Sequence, residues 1–291
     1  MAFTTLMSTA VLALYVDDPA LALIDCRTKL DDEGWGEREH AAAHIPGAVY
    51  ADLNRDLSGS KSGTNGRHPL PDPHTLAQTC SRLGITSGVQ VVAYDQDNGT
   101  FASRLWWMLR WLGHDAVAVL DGGLAKWLAE GRPTTRGDER RAAREFHGSP
   151  RADMSVDVAT VASHVGVGDW RLVDARAPER FRGEVEPIDR TPGHIPGATN
   201  HFFNGNLGGD TTFCSPEELR ARWNASLGDV APDRVVCYCG SGVTACHNLL
   251  ALEHAGMKGA KLYAGSWSEW SADPARSVAL GDEKSGNRVA R

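Results

Sequence analysis

The sequence lacks several features that would assign it to whole classes of protein. It has six cysteines in 291 residues, which is too few for a disulfide scaffold, so we expect free thiols in a reducing compartment. Positive charge is also scarce. There are 30 lysines and arginines against 37 acidic residues, and the net charge of −7 argues against nucleic acid as the main partner.

No apolar run is long enough to cross a membrane. The first residues, MAFTTLMSTAVLALYVDD, have neither the basic region nor the cleavage site that is typical of a secretion signal. They predict a helix capped by Ser8 or Thr9 instead. We therefore expect a cytoplasmic protein that does not act at a membrane.

What the chain does contain is an internal duplication. Residues 23–54 and 172–204 each hold Asp-x-Arg followed by His-Ile-Pro-Gly-Ala, and residues 91–127 resemble residues 235–270. A spacing of about 145–150 residues is far too long for a solenoid repeat. The sequence therefore predicts two copies of one domain.

We place the two domains at residues 1–134 and 153–291, joined by a polar linker at residues 135–152. Within each copy, short β-branched runs alternate with helical patterns that end in glycine. This order predicts an α/β fold in which a parallel sheet is flanked by helices. Such sheets bind ligands beyond the carboxyl ends of their strands, and Cys239 follows a predicted strand directly.

The segment VVCYCGSGVTACHN joins that strand to a predicted helix through a loop that begins at Cys239. Gly240 and Gly242 carry no Cβ and can adopt positive φ, so that backbone N–H groups converge above the sulfur. The helix that opens at Thr244, directly after Val243, adds a partial positive charge at the same place. Both effects favour the thiolate, which makes Cys239 the predicted nucleophile and these four loop residues its predicted anion and persulfide cradle.

Three other interpretations of this cysteine are weaker. A cysteine that only packs in the core needs no such cradle, and we expect that role for the other five. A zinc site at Cys237, Cys239 and the Cys-His pair at 246–247 matches no familiar ligand spacing, and strand alternation points the first two apart, so we expect no metal. A phosphatase loop requires an arginine where this chain has Ala245.

On these motifs the chain resembles the two-domain rhodanese-type sulfurtransferases along essentially its whole length. The duplicated His-Ile-Pro-Gly-Ala, the GGLAKW and GSWSEW segments, and the loop after Cys239 carry the resemblance. The first copy has Asp95 at the matching strand end, which is typical of the family's inactive first domain. The resemblance implies two tandem rhodanese-like domains and a sulfur-transfer reaction without metal or organic cofactor.

The loop sequence separates the branches of that family. Thiosulfate-preferring members usually have two cationic residues directly after the cysteine, whereas the 3-mercaptopyruvate branch resembles this chain from Cys239 to Thr244. A neutral loop also offers less to a dianion than to a monoanionic keto acid. The resemblance implies that Arg180 and a second arginine about nine residues later bind the substrate. Since position 189 is Asp189, we assign the second role to Arg190.

In the same branch, the positions of Ser241 and His68 form a proton relay with an acidic residue. The match places Asn54 where the carboxylate is expected, and an amide cannot stabilise an imidazolium as a carboxylate does. Either Asp52 or Asp56 substitutes, or the relay has no charged third member. For His68 the alternative is an ordinary loop histidine.

Together these observations predict a ping-pong sulfurtransferase. Cys239 takes sulfur from the small anionic donor 3-mercaptopyruvate as a persulfide and passes it to cyanide, a thiol or a thioredoxin-like protein. Two alternatives stay open. One is a thiosulfate:cyanide sulfurtransferase of the same fold, and the other is a protein persulfide carrier with little turnover of small molecules.

Overall fold

The computed structural model describes residues 2–282 and the backbone of residues 288 and 289. Within it the chain divides into two units, each assembled from separate stretches of sequence. The first unit contains the residues up to Gly59, Leu70–Arg151 and Leu207–Phe213. The second unit contains Ser60–Pro69, Ala152–Asn206 and the residues from Cys214 onward.

Five short strands and five helices form the first unit. The strands are β1 (Leu6–Met7), β2 (Leu21–Asp25), β3 (Ala48–Tyr50), β4 (Gln90–Tyr94) and β5 (Val117–Leu120). The helices are α1 (Thr9–Tyr15), α2 (Trp35–Ala42), α3 (Pro73–Arg82), α4 (Ala102–Trp111) and α5 (Gly123–Ala129). All strand pairs are parallel, in the order β1-β5-β4-β2-β3, and their buried, β-branched residues suit a sheet that is covered on both faces.

The second unit repeats this plan. Its strands are β6 (Ser155–Val156), β7 (Arg171–Asp174), β8 (Thr199–Asn200), β9 (Val235–Tyr238) and β10 (Lys261–Tyr263), followed by an antiparallel pair, β11 (Val278–Ala279) and β12 (Arg288–Val289). Its helices are α6 (Val158–His164), α7 (Pro178–Phe181), α8 (Pro216–Leu227), α9 (Thr244–His254) and α10 (Ser266–Trp270). The main sheet is parallel in the order β6-β10-β9-β7-β8, which matches the first sheet strand for strand.

The predicted fold class is confirmed, because each unit is a parallel sheet flanked by helices. The predicted first helix is α1, and Ser8 caps it by accepting a hydrogen bond from the N–H of Val11 at 3.3 Å. Among the described residues, no helix is both long and apolar enough to span a membrane.

Both sheets bury the same ion pair. Arg27 Nη2 donates to Asp25 Oδ2, and Arg176 Nη2 donates to Asp174 Oδ2, each at 2.7 Å. Each arginine also donates to the carbonyl of the residue before His-Ile-Pro-Gly-Ala. The duplicated Asp-x-Arg therefore ties the end of one strand to the turn that leads into the next, which explains why both motifs occur in both copies.

The two units do not follow the linear boundaries that the sequence predicts. Residues 135–151, most of the predicted linker, belong to the first unit, where the N–H of Arg144 donates to the carbonyl of Ser81 at 3.0 Å. Residues 60–69 belong to the second unit although they lie within the first copy of the repeat. The domain boundaries at 1–134, 135–152 and 153–291 therefore remain a prediction about the two sequence repeats. In the structure, each unit includes a short segment from the other repeat, residues 207–213 in the first unit and residues 60–69 in the second.

Candidate active site

Cys239 directly follows β9 and lies in the loop that leads to α9. It is only 2% exposed, and its Sγ accepts hydrogen bonds from the N–H groups of Ser241 at 3.4 Å and Gly242 at 3.1 Å. The backbone of Cys239 is held on both sides, since its N–H donates to Ser266 Oγ at 3.1 Å and its carbonyl accepts from the N–H of Trp267 at 3.0 Å. The sulfur therefore lies in a hydrogen-bonded loop in which two N–H groups point at it, an arrangement that suits an anion.

The two glycines of this loop are required for different reasons. Gly242 has a φ of +79°, and a Cβ on it would lie 2.4 Å from the carbonyl oxygen of Ala264. Gly240, in contrast, is not in the left-handed region, so the expectation of a positive φ there is wrong. A Cβ on Gly240 would instead lie 2.8 Å from Nη2 of Arg67. One glycine is needed for the backbone turn, and the other leaves space for a guanidinium group.

The predicted cradle is only partly formed by the residues expected to form it. Of the loop residues, Ser241 and Gly242 donate to the sulfur, whereas Gly240, Val243 and Thr244 have no hydrogen bond to it in the described structure. Val243 precedes the first residue of α9, which is Thr244 as predicted. The first residues of this helix therefore make no hydrogen bond to the sulfur of Cys239 in the described structure.

The structure brings Ser241 and His68 together. His68 Nδ1 lies 2.7 Å from Ser241 Oγ, and both residues are 7% exposed. His68 reaches this position on the segment 60–69, which is part of the second unit. An imidazole and a hydroxyl at this distance can exchange a proton, so the pair has the geometry of a relay beside the nucleophile's loop.

The candidates for an acidic third member all lie in the first unit. Asn54 is exposed. Asp56 is buried and forms ion pairs with Arg55, at 3.2 Å, and with Arg82. Asp52 Oδ1 accepts hydrogen bonds from the N–H groups of Asn54 and Arg55, both at 2.8 Å. Both carboxylates therefore have local partners within their own unit.

Arg180, which the sequence predicts to bind the substrate, lies beside the loop. A Cβ on Gly240 would be 3.8 Å from both Nη atoms of Arg180, and Nη2 of this arginine donates to Glu186 at 2.6 Å. Burial opposes ionisation of Glu186, but the hydrogen bond from Arg180 helps to hold its pKa below the usual value. Arg190 is exposed and makes no hydrogen bond or ion pair within the described part of the chain. Arg190 therefore has no polar contact with the loop among the described residues.

The residue that the sequence analysis missed is Arg67. Its guanidinium borders Gly240 together with that of Arg180, and it forms an ion pair with Asp189. Two signals could have indicated it: Arg67 directly precedes the predicted relay residue His68, and the unexpected Asp189 calls for a cationic partner. Neither signal says from the sequence alone that the two residues meet.

The other five cysteines are buried thiols without disulfide partners. Burial raises the pKa of Cys26 and Cys237, and it raises the pKa of Cys80 to about 12. Cys246 Sγ donates to the carbonyl of Gly242 at 3.3 Å. Such environments disfavour the thiolate, which supports the packing role expected for these cysteines.

The matching loop of the first unit holds a buried carboxyl side chain. Asp95 follows β4 and is 1% exposed. Its carboxylate accepts hydrogen bonds from the N–H groups of Gly99 at 2.9 Å, Phe101 at 2.7 Å and Ala102 at 3.1 Å. Burial raises the pKa of Asp95, although these N–H groups act in the opposite direction. In this unit the backbone N–H groups therefore surround a side-chain carboxylate where the second unit has a sulfur.

Two α/β units, each with a parallel sheet, and an N–H-lined cysteine loop in the second unit limit the candidate families. Comparison with known proteins decides between them. The rhodanese-like domain matches residues 8–130 and again residues 157–273. The chain belongs to the rhodanese family. Its first rhodanese domain carries Asp95, and its second carries Cys239.

The relatives of this chain are named as sulfurtransferases, but their names give different sulfur donors. The chain is 49% identical to a Pseudomonas aeruginosa protein named "Probable 3-mercaptopyruvate sulfurtransferase", over 97% of this chain and all of that one. It is 35% identical to a thiosulfate sulfurtransferase from Cricetulus griseus, over 90% of each chain. Among solved structures, the 3-mercaptopyruvate sulfurtransferase from Leishmania major has a TM-score of 0.81 at 30% identity, over 92% of this chain and 74% of that one.

Proposed function

We propose that this rhodanese is a 3-mercaptopyruvate sulfurtransferase that works through a persulfide on Cys239. The observation that carries the proposal is the environment of the Cys239 sulfur. Two backbone N–H groups point at it, the Ser241–His68 pair lies in the same loop region, and the arginine side chains beside Gly240 supply an anion site. A nucleophile, a proton relay and a carboxylate site are the three parts that this reaction needs.

In the first half of the reaction, the Cys239 thiolate attacks the sulfur of 3-mercaptopyruvate. The carbon–sulfur bond breaks, its electron pair moves onto carbon, and pyruvate leaves as its enolate. A proton from Ser241, replaced through His68 at 2.7 Å, converts the enolate to pyruvate. The sulfur remains on Cys239 as a persulfide, and the backbone N–H groups of the loop stabilise its negative charge.

In the second half, a nucleophilic acceptor attacks the outer sulfur of the persulfide. The sulfur–sulfur bond breaks and returns the Cys239 thiolate. Cyanide gives thiocyanate, and a thiol, either small or on a thioredoxin-like protein, gives a new persulfide. Each step is balanced without an external oxidant or reductant, so the reaction needs no metal or organic cofactor. The six free cysteines support a location in the cytoplasm.

The nearest alternative is that thiosulfate is the preferred donor, since one relative is named for it. The loop after Cys239 carries no cationic side chain, so the loop itself has no charged group that could bind a dianion such as thiosulfate. The other alternative is a persulfide carrier that receives sulfur from a partner protein. The arginines beside Gly240 favour an enzyme with its own small anionic donor over a carrier.

The test is thiocyanate formation from cyanide, with 3-mercaptopyruvate and thiosulfate compared by kcat/KM. We expect a preference for 3-mercaptopyruvate, loss of turnover in Cys239→Ser, and retained turnover in Cys214→Ser, which removes another thiol of the same unit. A preference for thiosulfate would assign the enzyme to the other branch. A mass gain of one sulfur on Cys239 without turnover of either donor would favour the carrier.

A further inference from the structure

We propose that the first unit has a binding site of its own for a small molecule that carries a hydroxyl group beside a phosphate or carboxylate group. The site is a cavity of about 530 Å³ lined by parts of α2, β3, the end of α3 and the segment 137–143. Its volume lies within the range of about 300–1,000 Å³ that is usual for ligand sites. All of its lining residues belong to the first unit, so it shares no residue with the loop of Cys239 and does not depend on the proposed function.

Backbone hydrogen bonds hold the segment 137–143 in place as one wall of the cavity. The N–H of Gly137 donates to the carbonyl of Ala41 in α2 at 2.9 Å, and the N–H of Arg144 donates to the carbonyl of Ser81 in α3 at 3.0 Å. The two ends of the segment are thus attached to the two helices whose side chains line the same cavity. The cavity is therefore part of the folded unit.

His40 is a residue in which the first unit departs from the second. In the second unit, the ring of His194 stacks on the ring of Phe181 at a centroid distance of 3.7 Å. In the first unit, the matching His44 stacks on His40 at 3.9 Å, so an imidazole occupies the place of a phenyl ring. Since a phenylalanine satisfies the packing at this place, the ring nitrogens of His40 require a separate explanation.

The fold explains one nitrogen of His40 and leaves the other without a role. Nδ1 lies 2.9 Å from Oδ2 of Asp25. Burial raises the pKa of Asp25, but hydrogen bonds from His40 and Arg27 hold it below the usual value, so Asp25 is a carboxylate and Nδ1 of His40 is the donor. His40 is 3% exposed and lines the cavity, and its buried Nε2 has no hydrogen-bond partner among the described residues. Nε2 of the neutral ring is an acceptor, which a ligand hydroxyl can satisfy.

Arg141 supplies the cavity with a cation that has no acidic partner in the described part of the chain. Its Nη2 donates to the carbonyl of Pro19 at 3.2 Å, and its buried Nε has no hydrogen-bond partner there. Burial and the nearby charge of Arg144 lower the pKa of Arg141, which is the direction expected of a cation whose charge is not balanced. A phosphate or carboxylate group in the cavity would balance this charge and accept hydrogen bonds from the guanidinium group.

Arg82 provides a second donor close to Arg141. It is the last residue of α3, and a Cβ built on Gly84, two residues later, would lie 3.2 Å from Nε of Arg141. Arg82 shares the buried carboxylate of Asp56 with Arg55, and its own Nε and Nη1 make no hydrogen bond within the described residues. The acidic side chains that line the cavity are exposed, namely Glu37, Asp138 and Glu139. An anion therefore fits beside Arg141 better than a cation does.

The test is calorimetric titration of the full chain with inorganic phosphate, glycerol 3-phosphate and malate. The last two carry hydroxyl groups together with a phosphate or a carboxylate. We expect at least one of these two to bind the wild type more tightly than inorganic phosphate does, and the one that binds more tightly identifies the oxyanion. If none of the three binds, or if inorganic phosphate binds the most tightly, the inference is overturned.

Two variants test the residues of the cavity. R141Q should weaken binding of the preferred probe about 10- to 100-fold, because it removes a charge-assisted hydrogen bond. Its control, R144Q, changes an arginine close by that does not line the cavity, and its Kd should stay within about twofold of the wild type. H40F introduces the residue that the second unit has at this place, and it should reduce the affinity for the preferred probe to that for inorganic phosphate. Equal affinity of H40F and the wild type would overturn the role of His40.

A third variant, R180Q, separates this cavity from the loop of Cys239, because Arg180 belongs to the second unit. R180Q should slow the turnover of 3-mercaptopyruvate and keep Kd for the probe within about twofold, whereas R141Q should weaken the probe and keep turnover. Loss of probe binding in R180Q but not in R141Q would place the probe beside Gly240 and overturn the inference. Melting temperatures report whether each variant is folded, and if H40F is not, R141Q and R180Q decide.

Discussion

Replacing Gly242 by alanine tests whether the shape of the backbone loop, and not the sulfur alone, is required for catalysis. An alanine at a φ of +79° costs about 1–2 kcal/mol. Its Cβ would also lie 2.4 Å from the oxygen and 3.1 Å from the carbon of the Ala264 carbonyl, which are backbone atoms that cannot rotate away. Overpacking of this kind costs about 1–3 kcal/mol more. We therefore expect a loss of about 2–5 kcal/mol in the free energy of unfolding.

The same change should lower kcat. Relief of the clash moves the N–H of Gly242 away from the Cys239 sulfur, which lies 3.1 Å from it in the wild type. Since removal of one N–H donor from a developing anion typically costs about 100-fold in rate, we expect a loss of about this size in kcat. Urea unfolding gives the stability of the variant, and thiocyanate formation at saturating donor gives its kcat.

Two matched glycines serve as controls. Gly168 has a φ of +83°, and a Cβ on it would have no heavy atom within 4 Å, so Gly168→Ala should lose only about 1–2 kcal/mol and keep its kcat. Gly240→Ala meets the movable end of Arg67, so it should keep most of its stability but raise KM. If Gly242→Ala were as stable and as active as Gly168→Ala, the reasoning about the loop would be refuted.

Two further predictions concern histidines of the second unit. His68→Gln can still hydrogen-bond to Ser241 but cannot transfer a proton, so kcat should fall about 10- to 100-fold at unchanged melting temperature; an unchanged kcat would remove His68 from the relay. Burial lowers the pKa of His201 to about 4, so the unfolded chain takes up a proton first as the pH falls. Stability should therefore be lost progressively from about pH 6.5 to about pH 4, by at most roughly 3 kcal/mol from this residue. Urea unfolding at pH 7 and pH 4.5 should show a smaller difference for His201→Gln than for the wild type, and an equal difference would contradict this assignment.

Much of the fold and the position of the nucleophile could be predicted because they depend on local patterns. Short β-branched runs alternating with glycine-terminated helices are sufficient to indicate a parallel sheet, and the strand, loop and helix around Cys239 are contiguous in sequence. The turn at Gly242 could be predicted for the same reason, since its positive φ is a property of a few consecutive residues.

The arrangement of side chains from distant segments could not be predicted in the same way. Arg67 lies more than 100 residues from both Asp189 and Gly240 in sequence, and no periodicity reports that they meet. Gly240 was expected to permit a backbone turn, whereas its missing Cβ leaves room for Arg67. Arg190 was the nearest arginine in sequence to the expected position, but an exposed loop carries it instead to the surface.

The loop around Asp95 has a consequence for how the two domains respond to turnover. A ring of inward-facing N–H groups needs an acceptor inside it, and the side chain of Asp95 supplies that acceptor whether or not the protein turns over substrate. At Cys239 the acceptor changes in each cycle of the proposed reaction, from the sulfur of the cysteine to the outer sulfur of the persulfide and back. We therefore expect sulfur loading to change amide hydrogen exchange in the loop after Cys239 but not in the loop after Asp95, which serves as an internal reference.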